Sequence, residues 1–163
     1  MDDLTRLLHE AAIHRVLHRY CRGIDRLDAE LIRSAYWPDA SDDHGVFKGR
    51  ADDFVTWVVD ALRSFEQTQH FLGQSSIEIA EDDASSETYF IARHVVARDD
   101  ARFLETFGGR YVDRFARRNG EWRIARRAVV HDWSRIEPLH ATYPNDTFEQ
   151  GRRTRDDLSY RRD

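Results

Sequence analysis

The sequence predicts an α+β domain, with helices first and a curved antiparallel sheet after them. Two observations carry this. Apolar residues recur at helical spacing as far as about Phe65, and from Thr68 onward they alternate. The alternating part consists of long runs separated by short turn signals, the last of them Asn119-Gly120, a pair that supplies the positive φ angles of a tight hairpin. Helical and strand patterns that are segregated along the chain point to helices packed on one side of an antiparallel sheet.

The first helix is expected from about Leu4 to Arg22. Its apolar stripe is Ile13, Val16, Leu17, Tyr20 and Ile24, and Gly23 loosens its end. His14 and His18 lie one turn apart, a spacing that can hold a metal; the flanking arginines and the missing third ligand favour a solvated face. A second helix is expected from about Leu27 to Tyr36, stopped by Trp37-Pro38, because the residue before proline is pushed out of the helical region. Asp25 stands where it can cap that helix or, with the lone His70 at the start of a strand, make a proton-transfer pair, and spacing alone favours the cap. The stretch DASDDHGVFKGR reads as two short strands around a turn. Asp42, Asp43 and His44 there allow a metal reading, although adjacent acids in a turn usually face water. The third helix, about Ala51 to Phe65, places Asp52 and Asp53 in its first turn and presents Phe54, Trp57, Val58, Ala61, Leu62 and Phe65 as an apolar face. All three helices are therefore expected before the sheet.

The strand candidates are QHFLGQSSIEIA, SSETYFIARHVVAR, ARFLETFGGRYVDRFARR and EWRIARRAVVHDW, an antiparallel meander. Strands of this length curl, and Gly73, Gly108 and Gly109 interrupt them where a bulge would let the sheet wrap. A curled sheet covered by helices leaves an apolar mouth, the usual place for a small-molecule pocket. Past Trp133 the chain turns irregular. Pro138, Leu139, Tyr143 and Phe148 are sparse apolar anchors, so the segment from about Ile136 to Phe148 is expected to close that mouth, and the charged end RRTRDDLSYRRD to lie on the surface or on a neighbouring subunit.

A length of 163 residues fits one domain with its own core. The net charge of −5 gives no reason to expect nucleic acid or an anionic membrane as the main partner. There is no apolar run long enough for a membrane span and no charged-then-apolar leader. Cys21 is the single cysteine, which rules out an internal disulfide and suits a cytoplasmic location; beside the apolar stripe it reads as a small hydrophobe.

The order of elements, with Tyr20 and Asp25 five residues apart, Trp37, the GVFKGR turn, the His70 strand and GGRYVDRFARRNGEWRIARRAVVHDW, resembles the SnoaL-like branch of the NTF2-like fold. The resemblance covers about Asp3 to Ile136, so residues 1–136 are expected as the domain and 137–163 as a lid or tail. Enzymes similar in pattern are bile-acid 7α-dehydratase, scytalone dehydratase and hexachlorocyclohexane dehydrochlorinase. The resemblance implies an α+β cone, a homotrimer, no cofactor and no metal, and a small hydrophobic ring compound, such as a steroid or polyketide, as substrate.

It also implies roles. His70 matches the catalytic base and Asp25 the carboxylate that holds its tautomer, which reverses the balance for Asp25. Tyr20 matches a phenol, and His94 lies near the place of a second histidine or acid. Substrate contacts are expected from Trp37, Tyr111 and an arginine of the last strand. Alternation from Trp122 and Ile124 places Arg126 inside, whereas a bulge would select Arg127. Tyr111 and Asp113 can both face the pocket, or can form a cross-strand pair supporting the sheet. The resulting expectation is a dehydratase-type lyase with a His–Asp base. An isomerase or cyclase with the same pocket, and a non-catalytic subunit like the small subunit of ring dioxygenases, are the alternatives. The trimer is expected to form through a sheet face carrying Phe103, Phe107, Tyr111 and Phe115.

Overall fold

The computed structural model describes residues 1–140 and 147–161. Among them the helices are α1 (Asp3–Arg26), α2 (Ala29–Ser34) and α3 (Ala51–Leu62). The strands are β1 (Tyr36–Asp43), β2 (Lys48–Arg50), β3 (Gln67–Ala80), β4 (Asp83–Arg98), β5 (Ala101–Arg118) and β6 (Glu121–Pro138), forming one sheet in the order β2-β1-β6-β5-β4-β3.

α1 begins at Asp2, whose carboxylate accepts the Thr5 N–H, and continues four residues past the expected Arg22. Gly23 does not loosen the helix. A Cβ there would lie 2.8 Å from Ile32, so glycine allows α2 to pack directly on α1. The stop comes at Leu27, which adopts the left-handed conformation (φ 51°). α2 is short and is capped by Asp28, whose carboxylate accepts the Leu31 N–H, which frees Asp25 from that duty. Tyr36, Trp37 and Pro38 belong to β1 rather than to a helix end.

Two features of the sheet correct the sequence reading. β1 and β2 intervene between α2 and α3, so only two helices precede the sheet. β1 also pairs parallel to β6, making the sheet mixed, while β3 to β6 form the expected antiparallel meander. The turns fall at Glu81-Asp82, Asp99-Asp100 and Asn119-Gly120, with Asn119 and Gly120 both at positive φ. Register shifts occur around Gly73, at Gly108/Gly109 and opposite Arg114/Phe115. At Gly109 a Cβ would meet the Val130 carbonyl at 2.3 Å, a closeness only glycine permits.

Alternation decides the two faces of the sheet. Phe90, Tyr111, Phe115, Trp122 and Ile124 face the α1 stripe and α3 in one core. Tyr111 and Phe115 are thus interior, not the exposed face on which a trimer contact was expected. Exposed apolar residues of the long strands lie between these, among them Phe71, Tyr89, Val112 and Trp133. Cys21 is buried, and burial pushes its thiol up to about 12.

After β6 the chain returns to the helices. Arg153 donates to the Leu62 and Phe65 carbonyls at the end of α3 (2.7 and 2.6 Å). Arg155 and the Tyr160 hydroxyl both donate to Asp28. The far tail is therefore held on its own chain. Tyr143, an anchor of the expected lid, lies outside the described residues.

Candidate active site

The last turn of α1 and the start of β3 bring Asp25 and His70 together. One Asp25 oxygen stands 2.8 Å from His70 Nδ1, and the other accepts the His70 backbone N–H at 2.9 Å. One carboxylate thus fixes both the ring and the strand that carries it. With Nδ1–H donating to Asp25, the Nε2 lone pair is left for the pocket. That pocket has a volume of about 220 Å³; Ile24, Trp57, Phe90 and Val129 give it apolar walls, and Tyr20, His44, His70, His94 and Tyr111 line it as well.

His94, on β4, lies beside His70 with ring centroids 5.8 Å apart, and packs on Phe65. Its Nε2 is buried and has no hydrogen-bond partner among the described residues. Burial, reinforced by the neighbouring His70, pushes its pKa down to about 4. It therefore stays neutral near pH 7 and offers the pocket one unused ring nitrogen.

Tyr20 is buried against Tyr36 and Tyr111, edge-on to both. Burial raises its phenol well above the ordinary value, although Arg127 opposes the shift. Arg127 lies under the Tyr20 and Tyr111 rings, 4.2 and 4.0 Å from their centroids. Its guanidinium donates twice to Asp113, at 2.8 and 2.7 Å, and both side chains are fully buried. Asp113 and Arg127 are register partners across β5 and β6, so Asp113 does form a cross-strand pair, buried in the core.

Arg126, expected to face the substrate, is exposed. The β5–β6 ladder pairs Phe115 with Ile124 but Arg114 with Arg126, so Ala125 is an extra residue that turns Arg127 inward. Trp37 is likewise away from the pocket. Its indole donates to the Ala116 carbonyl at 2.9 Å, Arg118 and Arg123 lie over its ring, and it borders a separate surface cleft with Arg33 and Asp52.

Asp42 and His44, which the sequence suggested only as metal ligands or solvated turn residues, also belong to the site. Asp42 is buried, accepts the Tyr36 hydroxyl at 2.6 Å, and makes a short contact with His44 Nδ1. His44 stacks on Phe54, centroids 4.3 Å apart, and its Nε2 lies 3.1 Å from the Tyr20 hydroxyl. The available signal was alternation: Ala40, Asp42 and His44 stand two apart, and the first two point inward with β1. Among the described residues no group of three or more His, Cys, Asp or Glu is arranged to hold a metal.

The model of the SnoaL-like domain family matches residues 5–128, most of the chain. The chain belongs to that family. This SnoaL-like domain is 31% identical over 130 residues to Rv2910c, an uncharacterized protein of Mycobacterium tuberculosis, covering 78% of the chain and 88% of that protein. Among solved structures it is similar to the type 3 hexachlorocyclohexane dehydrochlorinase LinA of Novosphingobium barchaimii, with a TM-score of 0.73, 19% identity, and coverage of 88% of this chain and 100% of that one. A Novosphingobium aromaticivorans protein provisionally assigned as a scytalone dehydratase gives 0.72 at 20% identity, covering 89% and 98%. At these identities the likeness is one of fold. Among the described residues no helix is long and apolar enough to cross a membrane.

Proposed function

We propose that this domain is a cofactor-independent lyase that eliminates water, or a comparable leaving group, from a small hydrophobic ring compound. The observation that carries the reading is an imidazole with one nitrogen fixed by a carboxylate and the other left for an apolar-walled pocket. The names of two structural neighbours, a dehydrochlorinase and an assigned dehydratase, describe eliminations and support it.

His70 Nε2 removes a carbon-bound proton next to an activating group, and Asp25 stabilises the imidazolium that forms. The electron pair left on carbon becomes the new double bond as the leaving group departs. Elimination is redox-neutral, so no electron acceptor is required. Neutral His94 donates its free N–H to a substrate oxygen, and Tyr20 donates to the departing one. Arg127 is locked on Asp113, so its positive charge supports the Tyr20 and Tyr111 hydroxyls from behind.

A volume of about 220 Å³ is small beside the roughly 300–1,000 Å³ of typical ligand sites, which favours one or two rings over a four-ring steroid. A pocket lined by three histidines also argues against a purely accessory subunit. The test is turnover of a panel of one- and two-ring β-hydroxy ketones, followed by mass and absorbance. Loss of water by the wild type, abolished in His70→Ala, is the expected result. A product of unchanged mass would make it an isomerase or cyclase, and full activity in His70→Ala would end the reading.

We also propose a homotrimer, now through the face carrying Phe71, Tyr89, Val112 and Trp133, all exposed. Light scattering at micromolar concentration should return three times the mass of the chain; a single-chain mass would refute it.

A further inference from the structure

We infer that His44, held by Asp42, is a second proton-transfer group that works through Tyr20 against His70. The inference rests on the elimination reading above and adds the source of the proton that the leaving group takes.

Four observations support it. His44 repeats the arrangement of His70: Nδ1 is engaged by a carboxylate and Nε2 is turned away from it. Both histidines line the same cavity. Nε2 of His44 meets not another carboxylate but a hydroxyl, that of Tyr20, which itself lines the pocket. Finally, the holding group is itself fixed, since Asp42 accepts the Tyr36 O–H at 2.6 Å and lies at the floor of the core. A carboxylate built in this way orients the ring through Nδ1 and leaves Nε2 facing the Tyr20 hydroxyl, the position from which a proton can be passed on.

The step balances as follows. His70 takes the proton from carbon, and the C–X electron pair leaves with the departing oxygen. Tyr20 gives its O–H proton to that oxygen while His44 Nε2–H returns one to Tyr20. Tyr20 therefore never has to persist as a phenolate, a form that its burial makes costly. His70 ends charged and His44 neutral. His44, with 17% of its side chain exposed, and His70, beside a surface cleft, exchange protons with water to reset the pair.

The test uses two small bicyclic probes. 5-Nitrobenzisoxazole and the parent benzisoxazole both open by loss of the ring C–H proton and cleavage of the N–O bond, giving a cyanophenolate. The nitro group stabilises that phenolate, so the first probe needs a base only, whereas the parent also needs a proton for the departing oxygen. His70→Gln is expected to slow both. His44→Gln is expected to slow the parent on the order of 10²-fold more than it slows the nitro probe. Asp42→Asn and Tyr20→Phe are expected to show the same selectivity, which keeps the test open if His44→Gln does not fold. A merely structural role for His44 would slow both probes equally, and that result, or no slowing of either, overturns the inference while leaving His70 as base. If the wild type opens neither probe, or His70→Gln leaves both rates unchanged, the base reading fails and this inference with it.

Discussion

Asp25 and Asp42 each hold a histidine of the same pocket, yet their surroundings are unlike. Asp25 sits at the seam between α1 and β3, 14% exposed, and anchors His70 by ring and backbone together; a surface cleft lined by His18, Arg22 and Phe71 lies behind it. Asp42 has no exposed side-chain surface and shares its environment with Tyr36, Tyr20 and the Arg127–Asp113 pair. The first pair is bonded within itself at the edge of the core, whereas the second is joined to the polar network that fills the core. Variants around Asp25 should report on chemistry. Variants around Asp42 report on chemistry and stability at once.

The largest expected effect belongs to the first pair. His70→Ala should remove nearly all elimination, and Asp25→Asn, which keeps shape but loses charge, should cost on the order of 10²–10⁴-fold. The double variant should be little worse than the worse single one, because groups acting as a unit are not additive. Thermal melts should move little in all three. Multiplicative losses in the rate assay would show that the two residues act separately.

Next comes the anchor of the second pair. Arg127→Met leaves Asp113 buried without its counter-charge, and urea denaturation should show a loss of about 3–5 kcal/mol. Replacing both, as Arg127→Met with Asp113→Leu, should recover much of that, since a buried ion pair is weak evidence for net stability. A single variant as stable as the wild type would mean that the network is peripheral to the core.

Between the two pairs stands His94, and its contribution is a pH effect. Its folded-state pKa of about 4 lies below the ordinary 6.5, so in that window the unfolded chain binds a proton that the folded one refuses. The stability tied to its neutral form is complete above about pH 6.5, falls as pH drops towards 4, and levels off below. The total is on the order of 3 kcal/mol at about 1.4 kcal/mol per pK unit. His94→Gln should flatten this part of the stability curve, measured by denaturant midpoint at half-unit steps. An unchanged slope would mean that His94 charges freely in the folded state.

Local pattern made much of the fold legible. The α1 stripe, the α3 acids and the Asn119-Gly120 turn are short-range signals, and each appears where it was expected. The Asp25–His70 contact joins residues 45 apart; the sequence allowed the pair, and the family resemblance tipped the balance from a helix cap to it. The choice between Arg126 and Arg127 stayed open for another reason. One extra residue, Ala125, reverses the side chains after it as far as the next shift at Asp132, and a bulge is a property of the ladder, not of the strand. Asp42 and His44 were misjudged because neighbouring acids in a turn ordinarily face water. Here β1 lies between β2 and β6, so one side of that acidic run is interior. Trp37 failed for the same reason, since its position on β1 sends it to the outside cleft.

The smallest expected effect gives the sharpest separation of the two pairs. Tyr36→Phe keeps the ring that packs edge-on against Tyr20, 5.9 Å between centroids, and loses only the hydroxyl that donates to Asp42. A hydrogen bond to a charged group contributes roughly 1.5–3 kcal/mol, and the lower end applies here because Asp42 keeps His44 as a donor. Denaturation should therefore show a loss of about 1.5 kcal/mol. Nothing in that change reaches Asp25, whose two oxygens are both engaged by His70. Opening of 5-nitrobenzisoxazole should consequently stay at the wild-type rate, while the parent probe slows by a few-fold as Asp42 holds His44 less firmly. Equal slowing of both probes would mean that a disturbance at Asp42 is felt at His70, and that the two pairs are one connected unit rather than an acid side and a base side.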